Sequence, residues 1–287
     1  MGTAPLLGIA FGLAAASSWG TGDFCGGLAS KRTPVYGVVM LSQLLGLGFL
    51  VILALILSEP VPALPDMLWG GIAGLAGTVG LAALYRGLAT GPMGVVAPIA
   101  AVVSVILPLF FGLFLEGVPA WSQLLGFGLA LCAVWLITRP RRGERIQARH
   151  LALPVLAGLG FGVFLILIDH VSAAAVLWPL ASARAASVLA LFLALLLARR
   201  SIVPARQCYR LARQMPLIVL AGLFDTGGNA FYALAARAGR LDIAVVLGAL
   251  YPAMTVILAR LILKERLSRQ QGLGLALALL AVMLIAS

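Results

Sequence analysis

The sequence is poor in charge and in the residues that build metal, disulfide and catalytic sites. Only 10% of its 287 residues are charged, and it contains two His and three Cys. About a quarter of the residues in a soluble domain are charged, so this composition excludes an ordinary soluble fold. Cys25, Cys132 and Cys208 are odd in number and lack metal-ligand spacing, which excludes a complete disulfide framework and a cysteine metal site. We therefore expect no metal and no cofactor.

Apolar residues dominate the chain instead. They make up 62% of it, the mean hydropathy is +1.11, and many runs approach the ~20 residues that cross a bilayer. The first run has no Lys or Arg before it, unlike a signal peptide. The sequence thus predicts an all-α polytopic membrane protein. Ten transmembrane helices are expected, at residues 4–29, 34–57, 66–89, 93–115, 120–138, 151–171, 174–197, 216–237, 241–263 and 268–286.

The net charge of +11 is dispersed in short basic clusters between the apolar runs. Because no single basic patch forms, nucleic acid is excluded as a partner. One side of the predicted membrane carries the clusters at 31–32, 139–149, 199–213 and 264–269, whereas the other side carries mainly acids. The positive-inside rule places the basic side in the cytoplasm, and therefore both termini outside the cytoplasmic membrane.

The two halves of the chain resemble each other. Residues 74–138 and 222–286 align without a gap at an offset of 148. Small and hydroxyl positions recur, since Gly74, Thr78, Gly80 and Gly91 fall on Gly222, Thr226, Gly228 and Gly239. The alternative explanation is that two helix sets rich in Ala, Gly and Leu align through composition alone.

This repeat predicts two domains of five helices each. We expect a first repeat at 1–138, a basic cytoplasmic linker at 139–150 and a second repeat at 151–287. Since five is an odd number of spans, the second copy is inverted in the membrane relative to the first. Inverted repeats are typical of secondary transporters, whose binding sites lie near the midplane at the repeat interface.

Several short segments accompany the doubled five-helix unit. They are SSWGTGDF in the first predicted helix, ALYRGLATGPMGVVAP across the third and fourth, and the Glu residues in LFLEG and LILKER. With these segments the chain resembles the drug/metabolite transporter superfamily and, within it, the EamA family of ten-helix carriers. The resemblance implies a basket of helices that exports small metabolites, often amino acids, around a cavity built from helices 1, 3, 4, 6, 8 and 9. Aromatic amino acid exporters are relatives, although no residue here points to their substrates.

Asp23 and Trp19 are candidate cavity residues in the first helix. They are four residues apart and share a helix face. Asp23 lies ~12 Å and Trp19 ~18 Å from the interface that Lys31 marks, at 1.5 Å per residue. An intramembrane carboxylate normally faces a bundle interior or a watery cavity. The alternative is that Asp23 caps a helix that ends near Gly22.

A second set of candidates is the polar stripe Asp225, Asn229 and Tyr232, spaced four and three residues apart on one helix face. The first repeat has Gly77, Leu81 and Leu84 at these positions. Because one copy of the repeat does without polar residues here, we favour substrate or proton handling by the stripe. Hydrogen bonding between helices is the structural alternative.

Further polar residues complete the expected site. Asp169 and Arg184 are predicted to form an ion pair across the sixth and seventh helices, with an outer gate or a substrate-carboxylate site at Arg184 as alternatives. Tyr251 and Thr255 flank a helix break of the kind that exposes backbone to a cavity. Tyr85 is expected either to line the cavity or to pack.

These features favour a secondary transporter that exports amino acids or similar neutral or zwitterionic metabolites by alternating access. No GxxxxGK[ST] loop is present, so ATP is not expected to drive it. A lipid or amphiphilic-drug flippase on the same fold is the alternative. An enzyme is more remote, because His150 and His170 are predicted on opposite sides of the membrane. The expected partners are a small-molecule substrate, membrane lipids and protons, with the chain a monomer or weak homo-oligomer.

Overall fold

The computed structural model describes residues 3–116, 121–138, 149–169, 175–197, 208–238, 247–248, 250–264 and 268–285. Across these ranges the fold is all-α, as predicted, and contains no strand. The helices are α1 (Thr3–Ser30), α2 (Val35–Ile56), α3 (Leu64–Thr90), α4 (Met93–Glu116), α5 (Trp121–Thr138), α6 (Arg149–Asp169), α7 (Leu177–Leu197), α8 (Cys208–Ala238), α9 (Tyr251–Ile262) and α10 (Arg269–Ile285). Five of them fall in each predicted repeat.

Long apolar stretches and exposed aliphatic side chains mark a multi-pass membrane protein. Within the described ranges, five stretches are long and apolar enough to cross a membrane: Val35–Ile56, Leu64–Thr90, Leu151–Ile168, Leu177–Leu197 and Tyr209–Ala235. Large aliphatic side chains on α2, α7 and α9 point away from the core, among them Ile52, Leu196 and Leu261. A soluble protein rarely exposes so much apolar surface. Ten membrane crossings remain a prediction.

Two helix boundaries differ clearly from the predicted spans. α8 begins at Cys208, well before the predicted start at 216, and continues through Pro216, because its polar first turns extend the helix beyond the apolar run. α9 begins at Tyr251, with Pro252 in its first turn, and residues 247–248, earlier in the predicted span, are also helical. Proline suits that position, where its fixed φ is helical and no N–H is needed. Residues 241–246 and 249 of this span, predicted at 241–263, lie outside the described residues, as do 139–148 of the predicted linker.

The two halves pack against each other reciprocally. α1 of the first half contacts α8 and α9 of the second, while α6 of the second contacts α3 and α4 of the first. Likewise α2 contacts α8 and α7 contacts α3, and the two closing helices α5 and α10 pair with each other. A two-fold relation between similar units produces contacts of this kind. The centre of the molecule therefore lies between α1, α3, α6 and α8.

Repeated glycines make this reciprocal packing close. A Cβ atom at Gly74 on α3 would collide with the carbonyl oxygen of Ala183 on α7. A Cβ atom at Gly222, its equivalent on α8, would lie 2.6 Å from the carbonyl oxygen of Ser42 on α2. Small residues let helix backbones approach in this way within membranes. Gly74 and Gly222 thus perform the same packing role in the two halves.

Glu59, in the connection between α2 and α3, caps the start of α7. Its carboxylate accepts the backbone N–H groups of Val176, Leu177 and Trp178 at 3.0, 2.9 and 3.1 Å. The Trp178 indole N–H donates in turn to the Glu59 carbonyl oxygen at 2.9 Å. A carboxylate at a helix N-terminus satisfies free N–H groups and the helix dipole together. This cap fixes the helix that carries Arg184.

Candidate functional site

A cavity lies between the two halves at the centre of the described helices. Its volume is about 100 Å³. Seven helices form its wall, namely α1, α3, α4, α6, α7, α8 and α9. The lining residues are Trp19, Asp23, Gly74, Gly77, Leu81, Ser104, Phe161, Phe164, Leu165, Ala183, Arg184, Ser187, Asp225, Asn229 and Tyr251. The family resemblance implies six of these helices, and the structure adds α7, which contributes a positive charge.

An ion pair forms the charged part of the wall. Arg184 Nη2 lies 2.8 Å from Asp225 Oδ2, and the two side chains are only 11% and 19% exposed. Arg184 Nη1 also donates to Gln43 Oε1 at 2.7 Å. A shielded pair of this kind depends on both partners, because removing one leaves an uncompensated charge. The pair joins α7 to α8 and, through Gln43, to α2.

Asp23 supplies a second carboxylate to the cavity and has no cation opposite it among the described residues. It is 7% exposed and makes no hydrogen bond or ion pair within that part of the chain. The helices α1 and α8 touch beside it, since a Cβ atom at Gly22 would lie 3.0 Å from the backbone nitrogen of Asp225. With both acids ionised, the described wall carries two carboxylates and one guanidinium.

Aromatic rings cover another part of the wall. The Trp19 indole N–H donates to Asn229 Oδ1 at 3.1 Å. Tyr251 approaches Trp19 edge-on, with ring centroids 6.5 Å apart, and Tyr232 lies tilted against it at 5.6 Å. A Cβ atom at Gly228 would collide with the Trp19 ring, so this glycine makes room for the indole. The four-residue spacing of Trp19 and Asp23 does place both on the cavity side of α1.

Three of the residues predicted to line the cavity are absent from its described wall. Tyr85 is fully buried in the core, where its ring covers Gly26 on α1. Thr255 is also buried, and its hydroxyl donates to the Gly20 carbonyl oxygen at 3.0 Å, which ties α9 to α1. Tyr232 lies tilted against the Trp19 ring. Sequence spacing identifies a shared helix face, but the neighbouring helix decides whether that face meets a cavity or another backbone.

The predicted partner of Arg184 lies outside the described part of the site. Nothing is described of the Asp169 side chain or of residues 170–174, so the Asp169–Arg184 pair stays a prediction. Arg184 itself faces the cavity and contacts Asp225 and Gln43. The sequence gives no direct indication of this arrangement, because the three residues lie on three separate helices.

Sequence reasoning also missed the apolar and hydroxyl part of the wall. Phe161, Phe164 and Ser187 line the cavity although none of them is an unusual residue in an apolar helix. One signal was available for Phe161, which lies in the GLGFG segment that matches GIAFG in the first helix. The wall therefore combines opposite charges, amide and hydroxyl groups and aromatic rings. Such a wall can bind a small molecule that has both polar and apolar parts.

Metal binding finds no support in the described residues, which contain no group of three His, Cys, Asp or Glu side chains arranged around a common point. The described wall offers charge pairing, hydrogen bonding and aromatic contact.

Comparison with known proteins gives the chain a family. The model of the EamA-like transporter family matches it twice, over residues 6–139 and again over 149–287. A crystal structure described only as that of a protein superposes with a TM-score of 0.64 and 18% identity, covering 96% of this chain and 95% of the other. At that identity the likeness concerns the fold alone. No curated protein matches the sequence significantly.

Proposed function

The chain belongs to the EamA-like transporter family, and we propose that it exports amino acids or similar small zwitterionic or neutral metabolites by alternating access. The family makes it a membrane transporter of the drug/metabolite type, with a small-molecule substrate. We place it in the cytoplasmic membrane with both termini outside, following the positive-inside rule. The observation that carries the substrate proposal is the Arg184–Asp225 pair in the cavity wall.

A zwitterionic substrate matches the charges of this wall. Arg184 offers a guanidinium suited to a carboxylate, while Asp225 and Asp23 offer carboxylates to an ammonium group. A substrate that carries both charges exchanges the internal ion pair for two pairs of its own. Phe161, Phe164 and the Trp19 cluster then face its apolar part. A phosphorylated sugar fits less well, because it needs several cations and the described wall supplies one.

Asp23 is our candidate for proton coupling. An intramembrane carboxylate without a cation is costly, so it favours a state in which a proton or a substrate ammonium neutralises it. The groups that interact with it are Asp225 on α8, Tyr85 on α3 and Tyr251 on α9. Since Arg184 is already paired with Asp225, competition between proton and substrate at Asp23 provides a means of exchange.

The way the halves pack supports alternating access. The cavity lies between two five-helix units whose contacts are reciprocal. If each helix spans the membrane, the odd number of helices in each unit inverts the second unit relative to the first. The two-fold axis that relates them then lies in the membrane plane. Rocking of the halves about this axis opens the cavity to one side and then to the other. The Arg184–Gln43 contact lies between the halves and would change in that motion.

Counterflow in proteoliposomes tests the proposal directly. Vesicles loaded with an unlabelled amino acid are challenged with the same labelled amino acid, for a panel that covers neutral, acidic, basic and aromatic side chains. We expect saturable uptake for zwitterions by wild type and by Arg86→Gln, the same substitution at an exposed arginine that does not line the cavity. Arg184→Gln should abolish uptake. A panel without any counterflow would contradict the substrate class and favour the flippase alternative, to be followed with fluorescent lipids.

A pH gradient then separates coupled exchange from facilitated diffusion. We expect an imposed gradient to drive wild-type transport and to have no effect on Asp23→Asn, which should retain counterflow at equal pH. Counterflow measures binding and exchange, whereas the gradient effect measures proton movement. If the gradient has no effect on the wild type, the protein is a facilitator and Asp23 has another role.

A further inference from the structure

A basic groove lies away from the central cavity, at the end of the molecule where α1 finishes and α8 starts. It is lined by Lys31, Arg32, Tyr209, Arg210, Arg213 and Gln214, and it offers about 630 Å³ to water-sized molecules. Lys31 and Arg32 directly follow α1, and the other four residues occupy the first two turns of α8. The groove thus joins two helices that also form the cavity wall.

The groove has the chemistry of an anion site. Four of its six described lining residues are Lys or Arg, and none is acidic. Arg32, Arg210 and Arg213 are exposed, while Gln214 at its floor is buried. The positive end of the α8 dipole adds to the same potential, because the helix begins at Cys208. Guanidinium groups and a helix N-terminus are the features that bind phosphate oxygens.

The surface next to the groove distinguishes a lipid from a soluble anion. Arg213, Leu220 and Phe224 are spaced seven and four residues apart, so they lie along one face of α8. Leu220 and Phe224 are 40% and 37% exposed, and Tyr209, one turn before Arg213, is 78% exposed. An aromatic residue, a cation and then apolar side chains along one face match the headgroup and acyl chain of a phospholipid.

We propose that this groove binds the phosphate headgroup of an anionic phospholipid, whose acyl chain lies along Leu220 and Phe224 of α8. The proposal concerns a second ligand site and does not depend on which substrate is transported. A bound headgroup bridges the end of α1 to the start of α8. These helices carry Asp23 and Asp225 and touch at Gly22, so the lipid stabilises the packing on which the cavity depends.

Lipid titration of the purified full-length protein in neutral detergent tests the site. The probes are dioctanoyl phosphatidylglycerol, dioctanoyl phosphatidylcholine and inorganic phosphate, each read by native mass spectrometry and by the unfolding temperature from tryptophan fluorescence. The variant Arg210→Gln/Arg213→Gln removes two charges from the groove. Arg86→Gln/Arg260→Gln is the matched control. Both arginines are exposed, lie near the C-terminal ends of α3 and α9, and do not line the groove.

We expect wild type and control to bind phosphatidylglycerol in preference to phosphatidylcholine and to gain thermal stability from it. The groove variant should bind phosphatidylglycerol about 30-fold more weakly, at roughly fivefold for each removed charge. Arg210→Lys/Arg213→Lys should largely restore binding, which would show that positive charge is what the groove requires. A lipid-free unfolding temperature equal to that of the control shows that the glutamine variant is folded. The effect should shrink as ionic strength rises.

Three outcomes would overturn the proposal. Equal loss in the control variant would mean a general effect of surface charge. An equal stabilisation by inorganic phosphate would mean a soluble anion site. Binding of phosphatidylglycerol that is unchanged in the groove variant would place the lipid elsewhere.

Discussion

Helices α3 and α8 hold equivalent places in the two halves and meet the cavity with opposite chemistry. Gly77 and Leu81 line it from α3, and Asp225 and Asn229, the residues 148 positions later, line it from α8. The helices pack alike, since α3 contacts α6 and α7 while α8 contacts α1 and α2. The same scaffold therefore supports an apolar wall in one half and a polar wall in the other.

This difference separates what the fold requires from what the site requires. Gly74 and Gly222 are identical because both must allow a neighbouring backbone to approach. Asp225 and Asn229 have no polar equivalent, so packing alone does not explain them. An asymmetric substrate, with an ionic end and an apolar end, needs a wall that differs between two otherwise similar halves.

The contact between Gln43 and Arg184 lies where the two halves meet. Gly222 approaches the carbonyl of Ser42, and Gly74 approaches that of Ala183, so the next residues, Gln43 and Arg184, are equivalent by packing. Their side chains nevertheless touch, with Arg184 Nη1 2.7 Å from Gln43 Oε1. Equivalent residues that touch lie close to the axis that relates their units. Arg184 thus places a positive charge close to this axis, and its equivalent in the other half, Gln43, carries no charge.

Loss of the negative charge on α8 is expected to have the largest effect. Asp225→Asn leaves the Arg184 guanidinium without its carboxylate partner, which costs about 3 kcal/mol for a largely buried pair. We expect a lower unfolding temperature and no counterflow. The double variant Arg184→Gln/Asp225→Asn removes both charges and should recover stability while remaining inactive. Recovery of transport in the double variant would show that the pair is structural only.

Adding a methyl group at the repeated glycines should damage both halves equally. Gly74→Ala and Gly222→Ala each push a Cβ atom into a neighbouring backbone, and overpacking of this kind costs about 1–3 kcal/mol. Gly48→Ala is the control, because a Cβ atom there meets nothing within 4 Å. Thermal unfolding of the three variants measures the effect. A large loss at only one repeated glycine would break the equivalence of the two halves.

Making α8 resemble α3 should change binding more than folding. Asn229→Leu gives α8 the residue that α3 has at Leu81 and removes the bond from the Trp19 indole. Interhelical hydrogen bonds in membranes contribute about 0.6 kcal/mol, so stability should hardly change. We expect the KM for counterflow to rise severalfold. The reciprocal variant Leu81→Asn controls for polarity added to the opposite wall, and an equal change in KM there would contradict a specific role for Asn229.

The sequence predicts the helices and their repetition well, because these depend on local composition. Apolar runs set the helices, and Gly74 and Gly222 mark positions where backbone contact allows no side chain. The intramembrane charges Asp23, Arg184 and Asp225 are equally visible, since each is costly in an apolar helix. All three do line the described cavity.

What the sequence does not provide is the pairing of helices that are far apart in the chain. Arg184 meets Asp225 and Gln43 from three helices, and no local spacing relates them. Tyr85 is a second example in which the sequence does not determine the surroundings of a side chain. It is a polar residue in an apolar helix, yet its ring lies in the core against Gly26, where only the neighbouring helix determines its surroundings.

The smallest effect comes from one substitution made at two buried tyrosines. The hydroxyl groups of Tyr85 and Tyr251 are both buried without a hydrogen-bond partner among the described residues, but only Tyr251 lines the cavity. Removing an unpaired buried hydroxyl costs little and can stabilise. We therefore expect Tyr85→Phe to keep transport and to keep or slightly raise the unfolding temperature. Tyr251→Phe should unfold like Tyr85→Phe but transport a few-fold more slowly, because Tyr251 belongs to the cavity wall and Tyr85 does not. Equal transport by both variants would place the substrate away from Tyr251 and leave the ion pair as the centre of recognition.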